Sequence, residues 1–214
     1  MNALVKHLEP EVQLDMVLTD GSGSMQDTWF NTQTALEIYF DDLKKINTHV
    51  RVATFDSQNH NWIQRDCHSS ELEPLKSSPL QANFTSTPLY DAIQQMCWQL
   101  RDLNPKRCTI LIVTDGWENS SKFTSLAQVK AFLTWCKTRG WAVVFMGDGF
   151  NTSAMAQELG LAKDQTIGVQ KALLPEAMKM LGKKRQAYAY GADSMVFTED
   201  EQTQYGGLLT DETR

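Results

Sequence analysis

The chain has 214 residues, 42% of them hydrophobic, and only six prolines, which suits one globular domain with a sizeable core. Its 26 acidic residues outnumber its 20 basic ones, and the resulting net charge of −6 weighs against broad contact with nucleic acid or an anionic membrane, both of which call for a basic surface. No apolar stretch approaches the roughly 20 residues that span a bilayer, and Met1 to Glu11 lack the apolar centre of a signal peptide, so a cytoplasmic protein is expected.

The first predicted element is the apolar run Val12 to Leu18, read as a buried or half-buried strand. It leads into Asp20-Gly21-Ser22-Gly23-Ser24, where glycines let the backbone turn tightly. Asp20, Ser22 and Ser24 alternate along this loop and can converge one carboxylate and two hydroxyls on a point, the donor type that Mg²⁺, Mn²⁺ and Ca²⁺ accept. Taken alone, the segment also reads as a polar turn between strand and helix. Next, Trp29, Gln33, Leu36, Phe40 and Leu43 recur at helical intervals and predict a helix from Met25 to Ile46, with Gln33 the polar exception on its stripe.

His49 to Phe55 predict a strand and Trp62 to Cys67 a short neighbour across a turn. Residues 69–86 read as a loop that carries Thr87 to the site. A helix follows, marked by Leu89, Ile93, Met96, Leu100 and Leu103. Then come a strand at Cys108 to Thr114, a helix marked by Leu126, Val129, Leu133 and Cys136, and a strand at Trp141 to Met146. Ser153 to Leu159 predict a short helix, Thr166 to Val169 a last strand, and Leu173 to Leu181 a final helix. This alternation argues for a three-layer α/β fold, a doubly wound and mostly parallel central sheet with helices on both faces. The domain is expected to span 1–185, with 186–214 packing on it and its last ten residues mobile. Lys183-Lys184-Arg185 reads as a solvated helix end, His60 and His68 as a surface pair on an edge strand, and the four cysteines, which form no Cys-x-x-Cys pair, as buried free thiols.

The second apolar strand ends in Thr114-Asp115-Gly116, and Thr85-Ser86-Thr87-Pro88-Leu89 places hydroxyls just ahead of a helix. With these words in place the chain resembles the von Willebrand factor A (VWA) domain family, whose metal-ion-dependent adhesion site (MIDAS) has the pattern Asp-x-Ser-x-Ser, a distant Thr and a later Asp, matched here by Asp20, Ser22, Ser24, Thr87 and Asp115. Gly21 to Met25, Thr87 to Ala92 and Val113 to Gly116 are similar to bacterial and phage single-domain members. The resemblance covers roughly residues 10 to 170. It implies a Rossmann-like fold, an antiparallel edge strand at Trp62 to Cys67, and a bound Mg²⁺, with Mn²⁺ or Ca²⁺ as substitutes. The serines and, in one state, the threonine would bind the metal directly and the two aspartates often through water.

It further implies a divalent-metal-dependent protein-binding module, not an enzyme, whose partner protein supplies a Glu or Asp to the metal. Trp117, Glu118, Asn119 and Asp148 are placed on the rim that would meet such a partner, Trp117 either exposed or folded over the helix below. Tyr90 and Asp91 read as helix capping ahead of chemistry. The chain departs from bacterial relatives at Asp148-Gly149 and at Trp117. Two other readings stand: a metal-dependent hydrolase or phosphotransferase, and a structural subunit stiffened by metal. The first is weakened by the lack of a phosphate-binding loop or a Gly-x-Ser-x-Gly turn, and by histidines that all fall outside the three site segments.

Overall fold

The computed structural model describes residues 13–60, 62–148 and 152–206. Six strands lie among them: β1 (Gln13–Asp20), β2 (Thr48–Phe55), β3 (Trp62–His68), β4 (Cys108–Thr114), β5 (Ala142–Asp148) and β6 (Thr166–Val169). Between and after them run α1 (Trp29–Leu43), α2 (Leu89–Leu103), α3 (Leu126–Thr138), α4 (Thr152–Leu159), α5 (Leu174–Ala189) and α6 (Glu199–Gly206). The sheet order is β3-β2-β1-β4-β5-β6, parallel throughout except for the antiparallel edge strand β3. This is the expected three-layer α/β architecture. β1 and β4 lie side by side at its centre, where the strand order reverses, the place at which open parallel sheets bind ligands beyond their carboxyl ends.

The two faces of the sheet follow strand alternation. Val17, Val50, Val52, Leu111, Val113 and Val144 point to a core closed by α1 and α5. Met16, Leu18, Ala53, Phe55, Ile110 and Ile112 point to a second core closed by α2, α3 and α4. The helical stripe of α1 is buried at Trp29, Leu36, Phe40 and Leu43, and the polar Gln33 on it has a partner: its Oε1 accepts the Leu80 N–H at 2.6 Å. The long loop after β3 is therefore fastened to α1, and it adds Leu72, Leu75 and Leu80 to the core.

Several expectations need correction. The helix expected from Met25 starts as a 3₁₀ turn over Gly23–Thr28 and becomes α-helical only at Trp29, the tighter winding following directly from the Ser22-Gly23-Ser24 loop. The final helix does not stop at Leu181. It runs on to Ala189, and at Gly182 α1 approaches so closely that a Cβ there would collide with Asp42. Arg185 is no solvated end: with 1% of its surface exposed, it donates through Nε and Nη2 to the two oxygens of Asp15 at 2.7 and 2.8 Å. Position 185 thus lies inside α5, and the chain beyond it contributes Tyr188, Met195, Phe197 and Tyr205 to the core.

α6, which begins with three acidic residues and was not expected, covers the short edge strand β6. Gln170 N–H donates to the Tyr205 carbonyl at 3.0 Å and Gln202 Nε2 to that of Thr166 at 3.0 Å. The expected mobile end reaches back to Tyr205 and Gly206, which close α6, while 207–214 lie outside the described residues. His68 ends β3 while His60 lies ahead of it, and they bond to different partners, Asn47 and Gln95, so the expected surface pair does not form. Cys97, Cys108 and Cys136 are buried free thiols and Cys67 a half-buried one. Among the described residues no helix is long and apolar enough to cross a membrane.

Candidate metal centre

Asp20 is the last residue of β1, and Thr114, the last of β4, lies beside it. The Thr114 hydroxyl donates to Asp20 Oδ2 at 2.6 Å, and the Ser22 amide folds back to Asp20 Oδ1 at 2.8 Å. Gly21 N–H donates to the Phe55 carbonyl at 2.8 Å, continuing the sheet by one residue before the chain turns. A side chain at 21 is barred, since its Cβ would stand 2.9 Å from that of Ala82.

The segment before Thr87 pairs with this loop. Ser22 and Thr85 form a parallel bridge, Gly23 N–H donates to the Thr85 carbonyl at 2.7 Å, and Phe84 N–H to that of Gly21 at 2.9 Å. Phe84 takes a left-handed backbone, φ +54°, unusual for a bulky residue. Its ring meets Trp29 edge-on at 5.8 Å.

Asp115 arrives from β4. Its Oδ1 accepts the Ser24 hydroxyl at 2.5 Å, and the Ser22 and Ser24 hydroxyls are 3.1 Å apart. Gly116 locates the centre: a Cβ built there would lie 3.5 Å from Ser24 Oγ, 3.5 Å from Thr87 Oγ1 and 4.0 Å from Asp20 Oδ2. The glycine leaves clear a point faced by oxygens from all three segments. Asp20, Ser22 and Thr87 form a buried floor, Asp115 is half-buried, and Ser24 stands at the open mouth.

Burial pushes the Asp20 carboxyl up to about 6. The hydrogen bonds from Thr114 and Ser22 oppose the shift, and the nearby Asp115 charge adds to it. A cation at the centre would act in the opposite sense. Two carboxylates and three hydroxyls suit a hard, oxygen-seeking divalent ion such as Mg²⁺. No group of three or more His, Cys, Asp or Glu able to hold a metal occurs among the described residues, so soft-metal donors do not gather here.

Around this centre, Trp117 is 41% exposed. Glu118 turns inward: Oε1 accepts the Ser120 and Ser121 amides at 2.8 and 2.7 Å, and Oε2 accepts the Tyr90 amide at 2.9 Å. Asp148 closes β5, its side chain outside what the structure describes, and Gly149 lies outside the described residues. The Asp91 carboxylate accepts the Lys122 and Phe123 amides at 2.7 and 3.1 Å, and Tyr90 Oη donates to Glu158 at 2.9 Å.

Sequence reasoning missed how α2 is capped. Pro88 stands at its N-cap without a side-chain hydrogen bond, which was the signal that acceptors had to come from another segment. Of the four histidines, the three described are engaged elsewhere: His49 with Asp66, His60 with Gln95 and His68 with Asn47.

No protein-family profile and no curated protein matches this sequence. Solved structures do match. The von Willebrand factor domain of the type V pili tip protein Mfa5 from Porphyromonas gingivalis superposes with a TM-score of 0.66 at 9% identity, over 83% of this chain and 96% of that one. A von Willebrand factor type A protein from Catenulispora acidiphila gives 0.57 at 15% identity, over 81% of this chain and 42% of that one. Proximal thread matrix protein 1 from the mussel byssus gives 0.59 at 15% identity, over 80% and 45%. The chain thus spans less than half the length of the last two. At such identities the likeness is one of fold: the chain has the fold of VWA domains.

Proposed function

We propose, from a VWA fold with this oxygen-lined centre at the carboxyl end of its sheet, that the protein is a divalent-metal-dependent protein-binding module. Asp20, Ser22, Ser24, Thr87 and Asp115 would hold Mg²⁺. The observation that carries the reading is the convergence of Ser24, Thr87 and Asp20 oxygens on the space above Gly116.

Most of these donors are neutral hydroxyls, so a bound Mg²⁺ would keep much of its charge and offer a position to a carboxylate from a partner protein's Glu or Asp. The chain's own residues do the rest. Thr114 and the Ser22 amide orient Asp20, and Asp115 holds the Ser24 hydroxyl at the mouth. Trp117, exposed on the same loop as Asp115, would supply an aromatic contact at the edge of such an interface.

The test is a pair of measurements on the full chain and on Asp20→Ala. Mn²⁺ titrated calorimetrically should bind the wild type at one site and the variant at least tenfold more weakly. Capture of a host protein on immobilised wild type should require Mg²⁺, fail in chelator, and fail with the variant. Equal metal binding by both forms would sink the assignment of the site. Capture indifferent to metal would sink the mode of binding.

A further inference from the structure

We infer that Asn119, four residues past Asp115, is a positioning residue for the Thr87 oxygen, an inference that rests on the metal reading above. Thr87 is held by both of its peptide groups. Its N–H donates to Asn119 Oδ1 at 2.9 Å, and its carbonyl accepts the Asn119 N–H at 3.1 Å. This ring of two hydrogen bonds limits rotation about the Thr87 backbone and so fixes how far its hydroxyl reaches toward the centre. No residue near Thr87 in sequence does the same. Pro88 follows it with no side-chain hydrogen bond at the cap, and the bonds that join this segment to the Ser22 loop are made two and three residues earlier, at Thr85 and Phe84.

The surrounding bonds make the arrangement stiff. Glu118 and Ser121 accept the Tyr90 and Asp91 amides at 2.9 and 3.1 Å, and Asp91 answers with bonds to Lys122 and Phe123. The loop that carries Asp115 therefore caps the helix that follows Thr87. Two of the three ligand segments form one body, with Asn119 as its link to the threonine itself. Groups that orient metal ligands from behind typically change affinity by about 10–100-fold when removed.

The experiment compares wild type, Asn119→Ala and Asn119→Asp as full chains. Mn²⁺ affinity is read by calorimetry and the melting temperature is read in chelator. Asn119→Ala should bind Mn²⁺ about 10–100-fold more weakly. Asn119→Asp, which keeps an oxygen for the Thr87 amide, should recover most of the loss. Should the alanine variant fail to fold, Asn119→Thr, which keeps bulk but shortens the reach, carries the same comparison. A lower melting temperature with wild-type Mn²⁺ affinity would reduce Asn119 to a structural role and overturn the inference while leaving the metal reading intact. Absence of Mn²⁺ binding by the wild type would overturn both.

Discussion

Asp15 and Arg185 meet in the core with 1% of each side chain exposed, joined by bonds of 2.7 and 2.8 Å. Tyr39 Oη and Thr48 Oγ1 also donate to Asp15, at 3.1 and 2.6 Å, so the carboxylate is fully engaged. Burial works against the Arg185 charge, but the Asp15 carboxylate outweighs it and holds the guanidinium above its ordinary range. Arg185→Ala strands a buried carboxylate and should lower stability in urea unfolding by about 3–5 kcal/mol, whereas Asp15→Leu with Arg185→Met should lose far less. Neither partner was legible in the sequence. They stand 170 positions apart, and Arg185 closes a basic triplet that reads as a solvated helix end. The candidate metal residues were legible because short local words announce them, two at the ends of apolar strands and one, bearing Thr87, just ahead of a helix. Asn119 was placed near the site, but its bonds to Thr87 were not legible, because they depend on how two loops meet.

Elements bounded by contrast were read closely. β4 and β6 have the expected limits, since apolar and β-branched runs end abruptly against Asp115 and Gln170. α5 was cut short because Gly182 followed by three cations resembles a helix stop. Its continuation depends on Asp42 and Asp15, tertiary partners that no window of sequence contains. α6 was missed for a different reason: Tyr205 alone is buried on it, too little for a periodic signal.

At the edge strand β3, burial pulls the Asp66 carboxyl up. Hydrogen bonds and charge from His49 and Arg51 on β2 outweigh that pull and hold it at about 2. A folded value below the unfolded 3.8 means that the stabilisation is complete above about pH 4 and is lost as pH falls toward 2. Asp66 is 40% exposed, so the effect is on the order of 1 kcal/mol or less. The melting temperature of wild type should exceed that of Asp66→Asn at pH 5, and the gap should close by pH 2.

Over the whole molecule, residues beyond 185 pack into the same body as the sheet. Tyr188, Met195, Phe197 and Tyr205 share one core with β1, β4 and α1. Burial of such side chains is worth roughly 1.5–3 kcal/mol each, so together they rival the entire stability of an ordinary domain, about 5–15 kcal/mol. A chain ended after Arg185 should therefore lose the cooperative unfolding and near-ultraviolet circular dichroism that the full chain shows. The doubly wound order was legible from the alternation of strands and helices. The place of the chain's last turns was not, because they bury scattered single residues and no continuous face.

The two borders of the sheet bear on how copies of the protein behave when crowded together. The pairing of β3 with β2 shifts register opposite Val52/Ala53, leaving Gln64 of β3 without a partner residue in that register, and Asp66 on β3 is charged and paired across to β2. β6 has only four residues and lies under α6. Bulges, charge, short length and a covering helix are the devices by which sheet edges refuse an added strand. Both borders are blunted in this way, which disfavours fibre-like growth through backbone pairing and leaves loops and helices as the surfaces through which the molecule can meet others.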